Sequence, residues 1–366
     1  MIYLIVISIY FLLAVFVMVG FISHPYDQRT SADLLPVSIV IVARNEQEYI
    51  EECLSAIASQ NFPKELIEII VVDDHSSDTT AVKAKALLET LGMKHQLIGN
   101  QTHLGKKESI KKAIAQCSNE FIITRDADTF TRSNEWLSGI VNYYSSSKKE
   151  FIICPIAIDH KQTALSSLQE METAVLSLFT ISSAFYKAPF LCSGANLAFT
   201  KNIFYKTKAY ESHLHIPSGD DVFFLEEVKK VDANCIAYLK SRDVVVYTYP
   251  EKDIKSLIQQ KIRWSAKVFK SGSVFNWLTA VIMAISNFLW LWALFYVLFG
   301  QQNQLISLIF VLAKLLIDIL LVFLASSFIK IKTRGAMALL IGCFYPVYAS
   351  VVVVLATLMK PKWKSN

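Results

Sequence analysis

Hydrophobic positions along this chain follow three different patterns. Met1 to Ile22 is an unbroken apolar run, containing IYLIVISIYFLLAVFVMVGFI and no Asp, Glu, Lys or Arg. At about 1.5 Å per helical residue, such a run crosses a hydrocarbon core of about 30 Å, so residues 1–23 are expected to form a membrane helix. The basic leader, shorter apolar stretch and small-x-small cleavage site of a signal peptide are missing. Beyond Lys270 the chain is again apolar. It is interrupted at Gly300-Gln301-Gln302-Asn303-Gln304 and at Lys330-Ile331-Lys332-Thr333-Arg334-Gly335, which predicts three further spans over 277–299, 305–328 and 336–359. Between these regions, short β-branched runs alternate with helical patterns. Val37–Ala43, Ile67–Val72, Glu120–Thr124 and Phe151–Cys154 read as strands, and Glu46–Gln60 and Thr80–Leu91 as amphipathic helices. Near-continuous apolar strands between helices predict an α/β domain with a mostly parallel sheet covered on both faces. Ligands of such sheets sit beyond the carboxyl ends of the strands. The expected organisation is a helix over 1–23, a folded domain over 24–270 and a membrane region over 271–366.

Composition and charge sharpen this picture. Hydrophobic residues make up 53% and charged residues 18% of 366 residues, which excludes disorder and a freely soluble monomer. Setting aside Lys314, Lys330, Lys332, Arg334, Lys360, Lys362, Lys364 and Asp318 reduces 36 bases and 31 acids to 29 and 30 for residues 24–270. The net charge of +5 therefore lies beside the apolar segments, and the basic face that a nucleic-acid partner needs is lacking. Cytoplasmic loops collect Lys and Arg. That rule places the Lys330–Arg334 turn, the Lys255–Lys270 stretch and the 24–270 domain in the cytoplasm, with the Gln-rich turn outside. A fourth crossing then carries Lys360, Lys362 and Lys364 outward, an exception preferred here to a re-entrant segment bent at Pro346. The six cysteines form no CxxC pair and no zinc spacing, and read as reduced, unpaired thiols.

Two predicted strands end in acids: Asp73-Asp74-His75-Ser76-Ser77-Asp78 and Arg125-Asp126-Ala127-Asp128. A carboxylate there can accept from a ribose or base, or share a Mg2+ or Mn2+ ion with phosphate oxygens; Asp and Ser in such loops also cap helices. The phosphate loop GxxxxGK[ST] is absent, since Gly99 to Gly105-Lys106-Lys107 has the wrong spacing and no following Ser or Thr. No GxGxxG occurs. Ser218-Gly219-Asp220-Asp221 opens an apparent helix, and Gln260-Lys261-Ile262-Arg263-Trp264 lies on an amphipathic one before the membrane. His213-x-His215 reads as a polar loop. Leu165–Phe185 reads either as an interfacial helix that admits a lipid or as packing beneath the domain. Lys314 and Asp318, one helical turn apart inside a predicted span, read as a structural ion pair.

In order along the chain, Val37–Glu46 (VSIVIVARNE), Asp73-Asp74, Gly105-Lys106, Asp126-Ala127-Asp128, Ser193–Phe199 (SGANLAF), Gly219-Asp220-Asp221 and Gln260-x-x-Arg263-Trp264 resemble the membrane-bound inverting glycosyltransferases of family 2. That group includes cellulose, chitin and hyaluronan synthases and ceramide glucosyltransferase. The resemblance implies the GT-A nucleotide-sugar transferase fold. It implies that Asp74 contacts the nucleotide base, and that Glu46 and Lys106 lie near the nucleotide. Asp126 with Asp128 holds a divalent cation, Mg2+ or Mn2+, on the diphosphate. Asp221 is the general base, and Gln260, Arg263 and Trp264 line the diphosphate and the acceptor entrance. Two positions depart from the pattern: His75 stands where a small residue is usual, and Gly219-Asp220-Asp221 stands where Glu-Asp or Thr-Glu-Asp is more usual. The expected protein sits in the bacterial inner membrane and moves a sugar from a nucleotide donor, UDP-linked, to a lipid or glycan acceptor at the membrane, with lipid preferred. The alternatives are a processive polysaccharide synthase and a catalytically inactive nucleotide-binding sensor or transporter.

Overall fold

The computed structural model describes residues 2–27, 34–208, 210, 220–270, 274–300, 304–333 and 335–359. His213, His215, Gly219, Gln301–Asn303, Arg334 and the tail from Lys360 lie outside them. Packing divides the chain into two compact units, one of His24–Ala157 and Lys187–Tyr249, the other of Met1–Ser23, Ile158–Tyr186 and Pro250–Asn366.

The first unit is built on a seven-stranded sheet. In chain order its strands are β1 (Val37–Ala43), β2 (Ile67–Asp73), β3 (Lys94–Gly99), β4 (Phe121–Asp126), β6 (Phe151–Ile153), β8 (Leu197–Thr200) and β9 (Ile236–Tyr238). The spatial order is β3-β2-β1-β4-β8-β6-β9. β1 to β4 pair in parallel, β8 runs antiparallel to β4 and β6, and β9 pairs with β6 in parallel. A second sheet, of order β5-β10-β7, joins β5 (Thr129–Thr131), β10 (Val246–Thr248) and β7 (Ile156–Ile158).

Alternation along each strand sends every second side chain to one face. Ile39, Ile41, Ile69, Val71, Phe121 and Ile123 share a core with Cys53, Leu54 and Ile57 of α2 (Ile50–Ala58), Ala84 and Leu88 of α3 (Thr80–Leu88), and Trp136, Leu137 and Ile140 of α5 (Trp136–Ser147). On the other face, Phe151 and Phe199 meet Phe224 of α8 (Asp220–Asp232) edge to face at 5.0 Å. Phe199 also stacks at 6.0 Å on Phe204 of α7 (Lys201–Lys206), and α4 (Lys106–Gln116) packs against β1 and β2. Both faces are thus covered, as the apolar strands require.

Among the described residues, four helices are long and apolar enough to cross a membrane, all in the second unit, with candidate spans Ile2–Ser23, Asn276–Phe299, Gln304–Phe328 and Gly335–Leu358. They belong to α1 (Ile2–Ser23), α10 (Val274–Phe299), α11 (Gln304–Phe328) and α12 (Gly335–Leu358), the last continuous through Pro346. α6 (Ala164–Phe185) packs against α1, α11 and α12, and α9 (Ile254–Lys270) against α10 and α12. Hydropathy alone does not announce that grouping, because α6 carries Ser166, Ser167, Gln169, Glu170, Thr173 and Ser177 as buried residues. Gly20 sets the approach of α1 to α6: a Cβ there would stand 2.7 Å from the Tyr186 ring and 2.9 Å from the Ser182 carbonyl. Ser182 Oγ donates to the Val17 carbonyl at 2.6 Å and the Tyr186 hydroxyl to that of Phe16 at 3.1 Å. Lys314 and Asp318 form the expected pair at 2.6 Å, and the Tyr10 hydroxyl donates to Asp318 at 2.5 Å.

Candidate active site

Strand register gathers the acids. Ala43 is level with Asp73, Asp73 with Gly99, and Val42 with Asp126. The carboxyl ends of β2 and β4 therefore lie together on either side of β1, the position where α/β sheets bind ligands. The loops after β1 and β2 are tied side by side. Asn45 Oδ1 accepts from the Ser77 N–H at 2.9 Å, Gln47 Oε1 from the Thr79 hydroxyl at 2.8 Å, and the Glu46 N–H donates to Thr80 Oγ1 at 2.8 Å. Asp78 accepts from the Thr80 N–H at 2.9 Å and starts α3. Glu46, half-buried, also accepts at its carbonyl from the N–H groups of Tyr49 and Ile50. His75 adopts φ 61° and Asn45 φ 56°. A left-handed backbone at residue 75 strains any side chain with a Cβ, so that glycine alone would take this position without cost.

Asp74 is buried and spends its carboxylate on its own chain. Oδ1 accepts from Asn100 Nδ2 and the Leu104 N–H, both at 2.9 Å, while Oδ2 accepts from the Gly105 N–H at 2.9 Å and lies 2.8 Å from His103 Nδ1. Burial by itself would raise its pKa; the Asn100 amide, the two backbone N–H groups and His103 outweigh burial and hold the carboxyl below its ordinary range. Asp74 thereby shapes the 100–105 loop, where Gly105 takes φ 87° and leads into α4. The first residue of that helix, Lys106, reaches Asp126 Oδ1 at 2.6 Å. Next to it, Lys107 is buried with its ammonium 4.9 Å from the centre of the Phe223 ring, two residues past Asp221. Asp73 keeps one oxygen for the Ser76 N–H at 3.2 Å; the other, Oδ1, is buried and has no partner among the described residues.

Asp126 and Asp128 are both half-buried on the turn between β4 and β5. No group of three or more His, Cys, Asp or Glu side chains suited to a metal occurs among the described residues. Two hard carboxylates still fit Mg2+ or Mn2+, which commonly take one or two and fill the remaining positions with phosphate and water. Asp221, in the first turn of α8, accepts from the Val222 N–H at 2.8 Å and the Gly194 N–H at 3.4 Å. Gly194 belongs to the Ser193–Phe199 motif, whose Asn196 is fully buried. Asn196 donates to the Pro155 and Val244 carbonyls at 2.7 and 2.8 Å and accepts from Trp136 Nε1 at 3.0 Å.

Gln260, Arg263 and Trp264 lie on α9, in the unit of the apolar helices. Within that unit Gln260 Nε2 donates to Glu251 Oε1 at 2.9 Å, and Gln169 holds the Glu251 backbone through both its amide atoms. Lys261 pairs with Glu172 at 2.6 Å and sets its ammonium 4.1 Å from the centre of the Trp264 ring. The first unit thus links Asp74, through the loop that it holds, to Lys106 and Asp126, with Asp128 on the same turn and Asp221 on α8 of the same unit, while the QxxRW residues have their own network. Sequence reasoning missed Asn100 and Glu172, and it named Asp73 in the acid pair without giving it a role of its own. Asn100 had a signal: it follows a strand end, and Ser109 and Lys112, one helical turn apart on α4, both bond to it at 2.9 Å.

Residues 38–210 match the family model for glycosyl transferase family 2. Among curated proteins, the chain is 33% identical over 98 residues to a poly(ribitol-phosphate) beta-N-acetylglucosaminyltransferase of Staphylococcus aureus, covering 26% of this chain and 17% of the relative. It is 26% identical over 140 residues to a poly-beta-1,6-N-acetyl-D-glucosamine synthase of Staphylococcus epidermidis, covering 38% of this chain and 32% of the relative. The aligned part thus spans at most about a third of these relatives. Among solved structures, a mannosyltransferase from Pyrobaculum calidifontis, in complex with GDP-mannose and Mn2+, superposes with a TM-score of 0.56 at 14% identity, covering 97% of this chain and 94% of that one. That likeness is one of fold. Residues 38–210 therefore belong to glycosyltransferase family 2 and carry its GT-A fold.

Proposed function

We propose that this protein is a membrane-bound inverting glycosyltransferase that moves a sugar from a nucleoside-diphosphate donor to an acceptor at the membrane. The observation that carries the reading is the register of β2, β1 and β4, which sets Asp73 and Asp126 at one sheet edge, with Lys106 on Asp126. Four apolar helices support the membrane setting. The basic Lys255–Lys270 stretch and Lys330–Arg334 turn favour a cytoplasmic sheet domain, and a bacterial inner membrane is the setting proposed.

In this reading, the donor's base and ribose lie at the end of β2. Asp73 offers them Oδ1, which has no partner among the described residues, while Asp74 acts one step back by holding the loop that presents Lys106. Glu46 lies on the loop tied to the one after β2. Asp126 and Asp128 would hold Mg2+ or Mn2+, which when bound supplies positive charge against the diphosphate. Lys106 adds a cation on the same side. Asp221 takes the proton of the acceptor hydroxyl as that oxygen attacks the anomeric carbon, and the bond to the diphosphate breaks on the opposite face. Gln260, Arg263 and Trp264 are assigned to the diphosphate and the acceptor entrance. Arg263 brings planar donors suited to phosphate.

Both curated relatives are named for N-acetylglucosamine, which makes UDP-N-acetylglucosamine the first donor to test. The relative named as a synthase also favours a second reading, processive polymer synthesis. Lipid remains the preferred acceptor, because four spans leave little room for a polymer channel within one chain. Full-length protein in native membranes, offered a panel of UDP- and GDP-sugars, tests the proposal. Release of the nucleoside diphosphate with a mass shift on an extractable lipid supports it, and a polymeric product selects the synthase reading. No release from any donor would remove the enzymatic assignment.

A further inference from the structure

Arg125 is 1% exposed in the core of the sheet unit, one residue before Asp126. Strand alternation gives its position to the same face as Phe121 and Ile123, which line an apolar core. The guanidinium rests 4.9 Å from the centre of the Trp136 ring, and its Nε–H donates to Thr129 Oγ1 at 3.0 Å. The Thr129 hydroxyl in turn donates to the Asp126 carbonyl at 2.6 Å, and the Cys53 thiol approaches the same carbonyl at 3.6 Å. Nη1 and Nη2 have no acceptor among the described residues. Burying a cation without a carboxylate partner is costly, and an apolar side chain of similar volume is often the more stable choice.

We propose that Arg125 is a positioning residue that fixes the Asp126-Ala127-Asp128 turn through Thr129 in the shape that accepts a divalent cation. The proposal rests on the donor-site reading above. It also gives the Ser193–Phe199 motif a task inside the sheet unit. Asn196 holds the Trp136 indole at 3.0 Å, Trp136 supports the guanidinium, and the guanidinium supports the turn. Groups that orient metal ligands from behind typically change metal affinity or activity by about 10- to 100-fold.

The test uses full-length protein in lipid nanodiscs, titrated with UDP and with GDP in the presence and absence of Mn2+, with thermal melting of each variant. R125M is expected to melt at or above the wild-type temperature, because an unpaired buried charge gives way to apolar volume. It is expected to lose Mn2+-dependent nucleotide affinity by about tenfold or more, with metal-free nucleotide affinity unchanged. T129V, which removes the relay, shifts in the same direction, and the double variant is no weaker than R125M. Wild-type affinity in either single variant, an additive double variant, or a loss that follows a lowered melting temperature overturns the proposal. If R125M does not fold, a folded T129V decides: retained affinity overturns the proposal and reduced affinity supports it. Wild-type protein that binds neither nucleotide in a Mn2+-dependent way overturns the donor-site reading and this inference together, so the two failures are distinct.

Discussion

Asp74 and Asp73 stand next to each other in the sequence but do different work, and substitutions separate them. Asp74 accepts from Asn100, Leu104 and Gly105, and a hydrogen bond to a charged group contributes about 1.5–3 kcal/mol. D74A is therefore expected to lower stability by at least about 1.5 kcal/mol in chemical denaturation. Its folded-state pKa lies below the ordinary 3.8. The stabilisation is thus full above the unfolded value and fades as pH falls through the folded one, so wild type and D74A converge only in strong acid. Asp73→Asn is expected to keep the wild-type melting temperature and to weaken nucleotide affinity in a binding titration. Lys240 gives the same sign in a different window. Burial pushes its pKa down to about 8, while its ammonium donates to the His24 carbonyl at 3.0 Å. Between about 8 and the ordinary 10.5 the unfolded chain binds the extra proton, so stability gains from rising pH across that window. K240M is expected to lose that gain, seen as a flatter dependence of melting temperature on pH than in the wild type. His75 shows how much of the site was legible: the sequence marked an unusual residue, and only the backbone, at φ 61°, shows that its Cβ is strained. H75G is expected to keep stability or raise it by up to about 1 kcal/mol.

At the scale of elements, four strands with a buried apolar face were readable, whereas β8, buried throughout, was noticed only as part of the Ser193–Phe199 motif. β1 runs over Val37–Ala43, as its unbroken apolar pattern predicts, and β2 over Ile67–Asp73, one residue beyond the expected end. β3 (KHQLIG) escaped notice because it is the edge strand of the sheet and its first three residues are exposed. β5, β7, β9 and β10 are three residues each, too short to carry a period. The acid motifs were legible because they end apolar runs; the Asn100 and Arg125 contacts were not, since they join residues whose proximity exists only after the sheet forms. The packing of α6 on α1 was equally hidden, and Gly20 is its test. G20L drives a side chain into Tyr186 and Ser182, and overpacking of this kind costs about 1–3 kcal/mol. A lowered melting temperature in detergent with unchanged nucleotide binding is the expected outcome; full wild-type stability would show that the close approach is absent.

For the whole molecule, the proposed function assigns the acids of the sheet unit to sugar transfer and the four apolar helices of the other unit to a membrane. The proposed orientation predicts that a cysteine at position 302 is labelled in intact cells and one at Lys332 only after permeabilisation. The central claim is that Asp221 removes the acceptor proton in transfer from a nucleotide-sugar. It rests on one carboxylate, held by the N–H groups of Val222 and Gly194 at the start of α8. Loss of a general base lowers rate by about 10²- to 10⁴-fold, whereas loss of a helix cap costs about 1 kcal/mol of stability. The most direct measurement is sugar transfer by full-length Asp221→Asn beside the wild type, with donor affinity and melting temperature taken on the same preparations. The account predicts transfer reduced by about 10²-fold or more with donor affinity and melting preserved; transfer near the wild-type rate in a folded, donor-binding Asp221→Asn would contradict it.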